Sequence, residues 1–473
     1  MSTPFSLSFQ STYLRSVDAS DIITQLSLTS TDPVYLSHSG FRQVYGVVAD
    51  GNGNLYVADY DACVVYKVSS TGVVTRIAGT GTYGSSGYPG PALSCEFSGP
   101  WYLAVDAAGN VYVADNATYI ISCINMQTTT QTILGVSIPA GHIGIVAGTL
   151  NVGGNSSGDG GAATSAVVEA DAEICVAQSS GNLYLCDYFY GACVRKVTAA
   201  TGIISNVAGS GDGTQGYSGD NGPAGASLLN NPNGVAVDAN ENVYIADTLN
   251  NRIRVVNTQA TTQTLFGVSI PSGYINTIAG TGTAGDTGDG GLAVDAKLSS
   301  PFYVSLDSSS NLFISDSGNY KIRIVSPSTF DISTIAGTGV EGNTGNGGLA
   351  TSAKLGSLGT AAAFYPLAIP TPSAQKVTIS GGAFQTPAGV PLALGTVQVS
   401  LQQDVAIGGV QLAAGIKCTL QLDANGNVVG SPTLWGPLSY QMVPFSAQGE
   451  RAIGYPALTV AIPNASTYSL TSI

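Results

Sequence analysis

Residues 233–256 read NGVAVDANENVYIADTLNNRIRVV. Val235 and Val237 alternate with small residues, and Asp238-Ala239-Asn240-Glu241 breaks the run. Val243-Tyr244-Ile245 resumes it, Thr248 to Asn251 breaks it again, and Arg252-Ile253-Arg254-Val255 alternates with period two. Apolar alternation at period two, cut by turn-forming residues, reads as strand, turn, strand, turn, strand, and it excludes a helical repeat. A fourth strand follows at INTIAGT, residues 275–281.

The same sentence is written five times. It recurs as YGVVADGNGNLYVADYDACVVYKV (45–68), WYLAVDAAGNVYVADNATYIISCI (101–124), AEICVAQSSGNLYLCDYFYGACVRKV (172–197) and FYVSLDSSSNLFISDSGNYKIRIV (302–325), each with its own fourth strand. Asn54, Asn110, Asn182, Asn242 and Asn311 mark one point in every copy, at spacings of 56, 72, 60 and 69 residues. Four short strands at a recurring period predict a β-propeller. One such blade cannot bury both faces, whereas a ring of blades buries them all and leaves only protected edges. Two longer stretches also match, TTTQTILGVSIPAGHIGIVAGT (128–149) and ATTQTLFGVSIPSGYINTIAGT (260–281). They fall between the third and fourth strands of the second and fourth copies. They read as elongated hairpins on one face of the disc, their likeness reflecting blade duplication.

Residues 233–256 closely resemble the NHL-repeat propellers, and so do the links NSSGDGGAATSA (155–166), GYSGDNGPAGASL (216–228) and AGDTGDGGLAVDAKL (284–298). The resemblance spans roughly residues 41–360. It implies the fold far more strongly than the function, because that family includes protein binders, RNA binders and a metal-dependent lyase.

The fold class expected is all-β: an NHL-type propeller at 41–365, a linker at 366–375 and a small β-sandwich at 376–473. After the fifth copy, AKLGSLGTAAAF (353–364) stands where a further first strand would start. FSLSF (5–9), YLRSV (13–17) and DIITQLSLTS (21–30) offer its missing companions, so residues 1–40 are expected to close the ring. The expectation is six blades, with five as the alternative. Beyond the linker, GTVQVSLQQ, GIKCTLQLDANGNVV and PALTVAIP alternate as short strands. GGAFQTPAGVPLALGTVQVSL (381–401) and LDANGNVVGSPTLW (422–435) resemble modules of bacterial surface proteins and phage tail fibres.

Composition narrows the function. The chain has 473 residues and 61 glycines, with 29 acidic against 15 basic residues and a net charge of −14. Such a surface repels phosphate backbones and argues against nucleic-acid partners. Lys67, Arg195, Lys196, Arg252, Arg254, Lys321 and Arg323 recur at matching positions and read as a periodic solvated face. No apolar run is long enough to insert in a bilayer. MSTPFSLSFQSTYLR lacks the basic and apolar regions of a secretion signal, although the composition reads as extracellular or cell-surface. Removal of a signal, or assembly into a virion, would reconcile the two. The seven cysteines include no CxxC pair and read as small buried hydrophobes, with one local disulfide open among Cys175, Cys186 and Cys193.

Chemistry has few places to sit. The lyase branch of the family holds its metal with histidines near the propeller axis, and this chain has only His38 and His142, neither at an axial repeat position. No G-x-S-x-G motif is present. Asp59, Asp115, Asp187, Asp247 and Asp316 end every second strand and are expected to accept hydrogen bonds from their own turns. Asp159, Asp220 and Asp289 in the Gly-Asp links have the oxygen chemistry for calcium, without the spacing of an EF-hand. No other cofactor is implied. The second-to-third turns carry Tyr60, Tyr119, Tyr188, Phe189, Tyr190 and Tyr320, a rim suited to a protein or carbohydrate ligand. The leading reading is a non-enzymatic binding and structural protein. Its C-terminal domain would space the propeller or assemble it, homo-oligomers included. The alternatives are a phage tail or fibre component, and a lyase or lactonase with a carboxylate-held metal.

Overall fold

The computed structural model of the chain describes residues 5–8, 14–17, 21–26 and 28–356, with further strands between 376 and 468. Two compact units divide it, Met1–Ala368 and Ile369–Ile473. Within the first lie five complete four-stranded blades. Blade 1 comprises Val44–Ala49, Leu55–Asp59, Val64–Val68 and Val73–Ala78. Blade 2 comprises Pro100–Val105, Val111–Asp115, Ile120–Ile124 and His142–Ala147. Blade 3 comprises Ile174–Val176, Leu183–Asp187, Cys193–Val197 and Ile204–Ala208. Blade 4 comprises Pro232–Val237, Val243–Asp247, Arg252–Val256 and Tyr274–Ala279. Blade 5 comprises Pro301–Leu306, Leu312–Asp316, Lys321–Val325 and Ile332–Ala336. Each is an antiparallel meander in chain order.

Two local features repeat because the blade needs them. The third and fourth strands slip by one residue: Ile253 faces Ala279, but Arg254 faces Thr277. The same bulge occurs in the other four blades and sharpens the twist of the outer strand. A glycine then follows, as at Gly280, where φ is +91° and a Cβ would collide with the Asn251 carbonyl. Its N–H reaches the Ala293 carbonyl of the next link at 2.9 Å. Between blades the faces interlock: Ala246, Ile253 and Ile278 of blade 4 meet Val304, Leu312 and Ile314 of blade 5 in one buried cluster. Each such aliphatic side chain contributes about 1.5–3 kcal/mol on burial.

The matching stretches in blades 2 and 4 fold as separate two-stranded ribbons, Gln131–Ile133 with Val136–Ile138 and Gln263–Leu265 with Val268–Ile270. They do not stand free. Leu134 and Ile138 are buried in the cluster that blade 2 shares with blade 3, and Phe266 and Ile270 in the cluster that blade 4 shares with blade 5.

The N-terminal segment supplies three strands, β1 (Phe5–Ser8), β2 (Leu14–Val17) and β3 (Ile22–Gln25). They pair in order, and β3 also pairs with Gly348–Leu349 from the link after blade 5. The stretch read as DIITQLSLTS is not one strand: Thr29–Ser30 leaves β3 and pairs in parallel with Val73–Val74 of blade 1. A short helix, Pro33–Ser37, follows, capped by the Asp32 carboxylate. Five complete blades, not six, are found among the described residues, and the expected partner strand at 357–364 lies outside them. So does the linker expected at 366–375.

In the second unit the described strands form a five-stranded antiparallel sheet, a three-stranded sheet and a two-stranded ribbon. The residues carrying the resemblance to surface and tail-fibre modules lie largely outside the described ones. Of the seven cysteines, the six in the propeller are free, Cys175, Cys186 and Cys193 included. Cys418 carries no described side chain.

Candidate functional site

The repeated aspartates and arginines form a frame, and one expectation about them needs correcting. Arg195, Arg254 and Arg323 are not solvated. All three are buried, at the position the bulge turns inward. The Arg254 guanidinium donates to Asp220 Oδ1 at 2.7 and 3.1 Å, to the Leu228 carbonyl at 3.0 Å and to the Ser218 carbonyl at 2.9 Å. Behind it lies the Asp247 carboxylate, 3.6 Å away. Arg195 links Asp159 with Asp187, and Arg323 links Asp289 with Asp316. Arginine fits here because its fork serves two carboxylates and two carbonyls at once. One carboxylate oxygen of each link aspartate, Oδ1 of Asp159, Asp220 and Asp289, is thus engaged by a fixed cation.

The strand-end aspartates are structural and tie their own turns, as Asp247 accepts from Asn250 at 2.8 and 2.9 Å and Asp316 from Asn319 at 2.8 Å, to the link that enters the blade. Asp115, Asp187, Asp247 and Asp316 each accept a backbone N–H from the incoming link, at Ser98, Glu169, Asn230 and Ser299, over 2.7–2.9 Å. Asp59 accepts from Arg42 and Gln43 in the same way. Burial pushes Asp115, Asp247 and Asp316 up to about 6.

The rim aromatics divide. Tyr60 is half-buried against Tyr45 and Trp101, with ring centroids at 4.9 and 5.7 Å. Tyr119 covers Gly153, Tyr188 packs on the buried cluster of blades 3 and 4, and the Tyr320 hydroxyl donates to Glu341 at 3.4 Å. Phe189 and Tyr190 are different. They stand 51% and 47% exposed, edge to face, with centroids 5.1 Å apart. Tyr217 and Leu249 are exposed on the same face, Tyr217 lying flat beneath the Arg252 guanidinium at 3.7 Å.

Sequence reasoning missed what holds that pair. Blade 3 enters the ring through EADAE, Glu169 to Glu173, where blade 4 has Asn230 to Gly234. Glu169 is buried, and its carboxylate accepts the Phe189 N–H at 2.6 Å and also the Tyr190 N–H. Burial pushes it up to about 7, against the pull of those two donors. Asp171, beside it on the chain, is pushed to about 6 by burial. The legible signal was the departure itself, three acidic residues at alternate positions where the other copies carry none.

His38 caps the short helix and His142 opens the outer strand of blade 2, its Nδ1 3.0 Å from the Ala140 carbonyl. Among the described residues no three His, Cys, Asp or Glu side chains are grouped to hold a metal ion.

These blades and their Asp–Arg frame define a β-propeller. Residues 229–256 match the NHL repeat family, so the propeller carries an NHL repeat where the opening stretch lies. No curated protein matches the chain. Among solved structures it is similar to a protein of unknown function from Bacteroides thetaiotaomicron VPI-5482 (15% identity, 69% of this chain and 67% of that one, TM-score 0.40). It is also similar to an auxiliary nutrient binding protein from Bacteroides ovatus ATCC 8483 (15%, 68% and 64%, TM-score 0.42). A third is virginiamycin B lyase from Staphylococcus aureus, in a catalytically inactive form with quinupristin (12%, 70% and 80%, TM-score 0.39). The chain thus spans about two thirds of the first two proteins. No activity follows from similarities of this size.

Proposed function

We propose that this chain is a non-enzymatic binding protein outside the cell, recognising a protein or carbohydrate through the rim of blade 3. The observation that carries the reading is the Phe189–Tyr190 pair, exposed yet held at its backbone by a buried carboxylate. Aromatic side chains offer large contact area with little rotamer entropy to lose, and a fixed backbone lowers the cost further. The test uses the full chain in a glycan and protein binding screen, followed by Phe189→Ala and Tyr190→Ala. Each is expected to weaken the partner found by about 1–3 kcal/mol with the melting temperature unchanged. Full binding by the double variant would refute this rim. On this reading the second unit is a β-sandwich that spaces or assembles the propeller.

We also infer a sixth blade, with β1, β2 and β3 as its second, third and fourth strands. Two features support it. Gly348–Leu349 pairs with β3 in the register by which Gly222–Pro223 pairs with the outer strand of blade 4. Buried Arg15 donates to the Lys354 and Thr344 carbonyls, the counterparts of Leu228 and Ser218 around Arg254. Cysteine pairs at the Gly348–Ile23 contact are expected to crosslink in the intact chain, and their failure to do so would remove this blade.

A further inference from the structure

On the opposite face, where first strands turn into second strands, a cavity of about 550 Å³ opens at the axis. Its mouth lies beside the turns starting at Asp50 and Asp106, and its walls are apolar: Val48, Val105, Val176, Val237 and Leu306. Asp50, Asn52, Asp106 and Gln178 also line it, and two further polar groups in the lining are buried. One is the carboxyl of Glu173, 5% exposed, which accepts the Val235 N–H at 3.1 Å. The other is the Ser305 hydroxyl, 8% exposed, buried without a hydrogen-bond partner.

Glu173 sits at a position where the other blades hold Gly46, Tyr102, Gly234 and Tyr303. At Gly234 a Cβ would lie 2.6 Å from the Phe302 carbonyl, so there is no room for a side chain. Among the five described blades, blade 3 alone carries an acid at this strand position. No described Arg, Lys or His lines the cavity. The titratable groups around Glu173 are Asp50 and Asp106 in the cavity lining, Cys175 and Cys186 in its blade and Tyr102 from blade 2. None is cationic. Burial accordingly pushes Glu173 well above the usual carboxyl range. An isolated buried charge is costly, and the acid stays protonated until a positive charge arrives.

We propose that this cavity binds a small amphiphilic organic cation. Its ammonium group would lie between Glu173 and Ser305, and its hydrocarbon body against the valine walls. The volume is in the range of small-molecule sites, and an ammonium's three donors suit a carboxylate and a free hydroxyl. Binding ionises the acid: the Glu173 O–H proton leaves to the buffer, and the carboxylate that remains pairs with the ammonium. The site is independent of the rim, so either can fail alone.

The test is calorimetric titration of the full chain with primary alkylammonium ions of four to eight carbons, with alcohols of the same length as controls. The ammonium ions are expected to bind at least tenfold more tightly than the alcohols. Affinity should rise about tenfold per pH unit below the Glu173 titration, by proton linkage. The heat should vary with buffer ionisation enthalpy as one proton is released. Glu173→Gln, whose amide oxygen can still accept the Val235 N–H, should lose both the preference for charge and the proton release. Ser305→Ala should weaken binding several-fold. Equal affinity for ammonium and alcohol, no binding at millimolar concentration, or unchanged binding in Glu173→Gln would each overturn the proposal. If Glu173→Gln fails to fold, the buffer dependence of the unaltered protein decides: buffer-independent heat refutes it.

Discussion

Arg252 and Arg254 are two residues apart and have opposite fates. Arg252 stacks on exposed Tyr217, while Arg254 is fully buried between Asp220 and Asp247. Period-two alternation made the strand legible and puts both arginines on one face, but could not say which of the two is covered. A buried arginine shows itself only when its carboxylate partners, 34 and 7 residues back along the chain, are placed beside it. Arg254→Ala strands the Asp247 carboxylate and is expected to cost about 3–5 kcal/mol, read from denaturant unfolding. Arg252→Ala should cost below ~1 kcal/mol, the ordinary range for an exposed ionic contact. Equal costs would mean that the buried pair carries no special weight. The same blindness hid Glu169 and Glu173: one sequence shows that EADAE differs from its sister segments, not that its acids lie buried.

The ribbons of blades 2 and 4 show where reading elements from sequence succeeded and where it stopped. Their place between third and fourth strands was legible from the repeat alone. Their contacts were not, because Thr- and Gln-rich text does not mark which side chains of a short ribbon are covered. Gly135 lies near Gly202 and Gly267 near Phe330, so each ribbon tip leans over the third-to-fourth hairpin of the next blade. They act as straps between neighbours. Phe266→Ala is expected to destabilise the propeller by about 3 kcal/mol, near the lower end for a buried aromatic. Thr264→Ala on the exposed side should be neutral within about 0.5 kcal/mol. Chemical denaturation of both variants checks this, and a neutral Phe266→Ala would show that the strap holds nothing.

Across the whole molecule the buried acids set a pH response. Burial first of all holds Asp115, Asp171, Asp247 and Asp316 at about 6 and Glu169 at about 7. Their unfolded values lie near about 4. The folded state therefore binds these protons more tightly, and the stability they add is full near pH 4 and lost as pH rises through about 7. The melting temperature is expected to be higher at pH 5 than at pH 8, and a flat or rising profile would contradict this. Five blades were legible because the repeat writes each one contiguously. The N-terminal strands had to be inferred from what the last link lacked. Deleting residues 1–26 removes the partner of Gly348–Leu349 and the buried Arg15, so a lower and broader melting transition is expected. That pairing also fixes an order of events during synthesis. β3 can find Gly348–Leu349 only once residue 349 has been made. At about 5–20 residues per second, that leaves an unpaired edge waiting roughly 20–60 s in the cell. The nascent chain must be shielded over that interval, because one edge of β3 stays open until the link after blade 5 arrives.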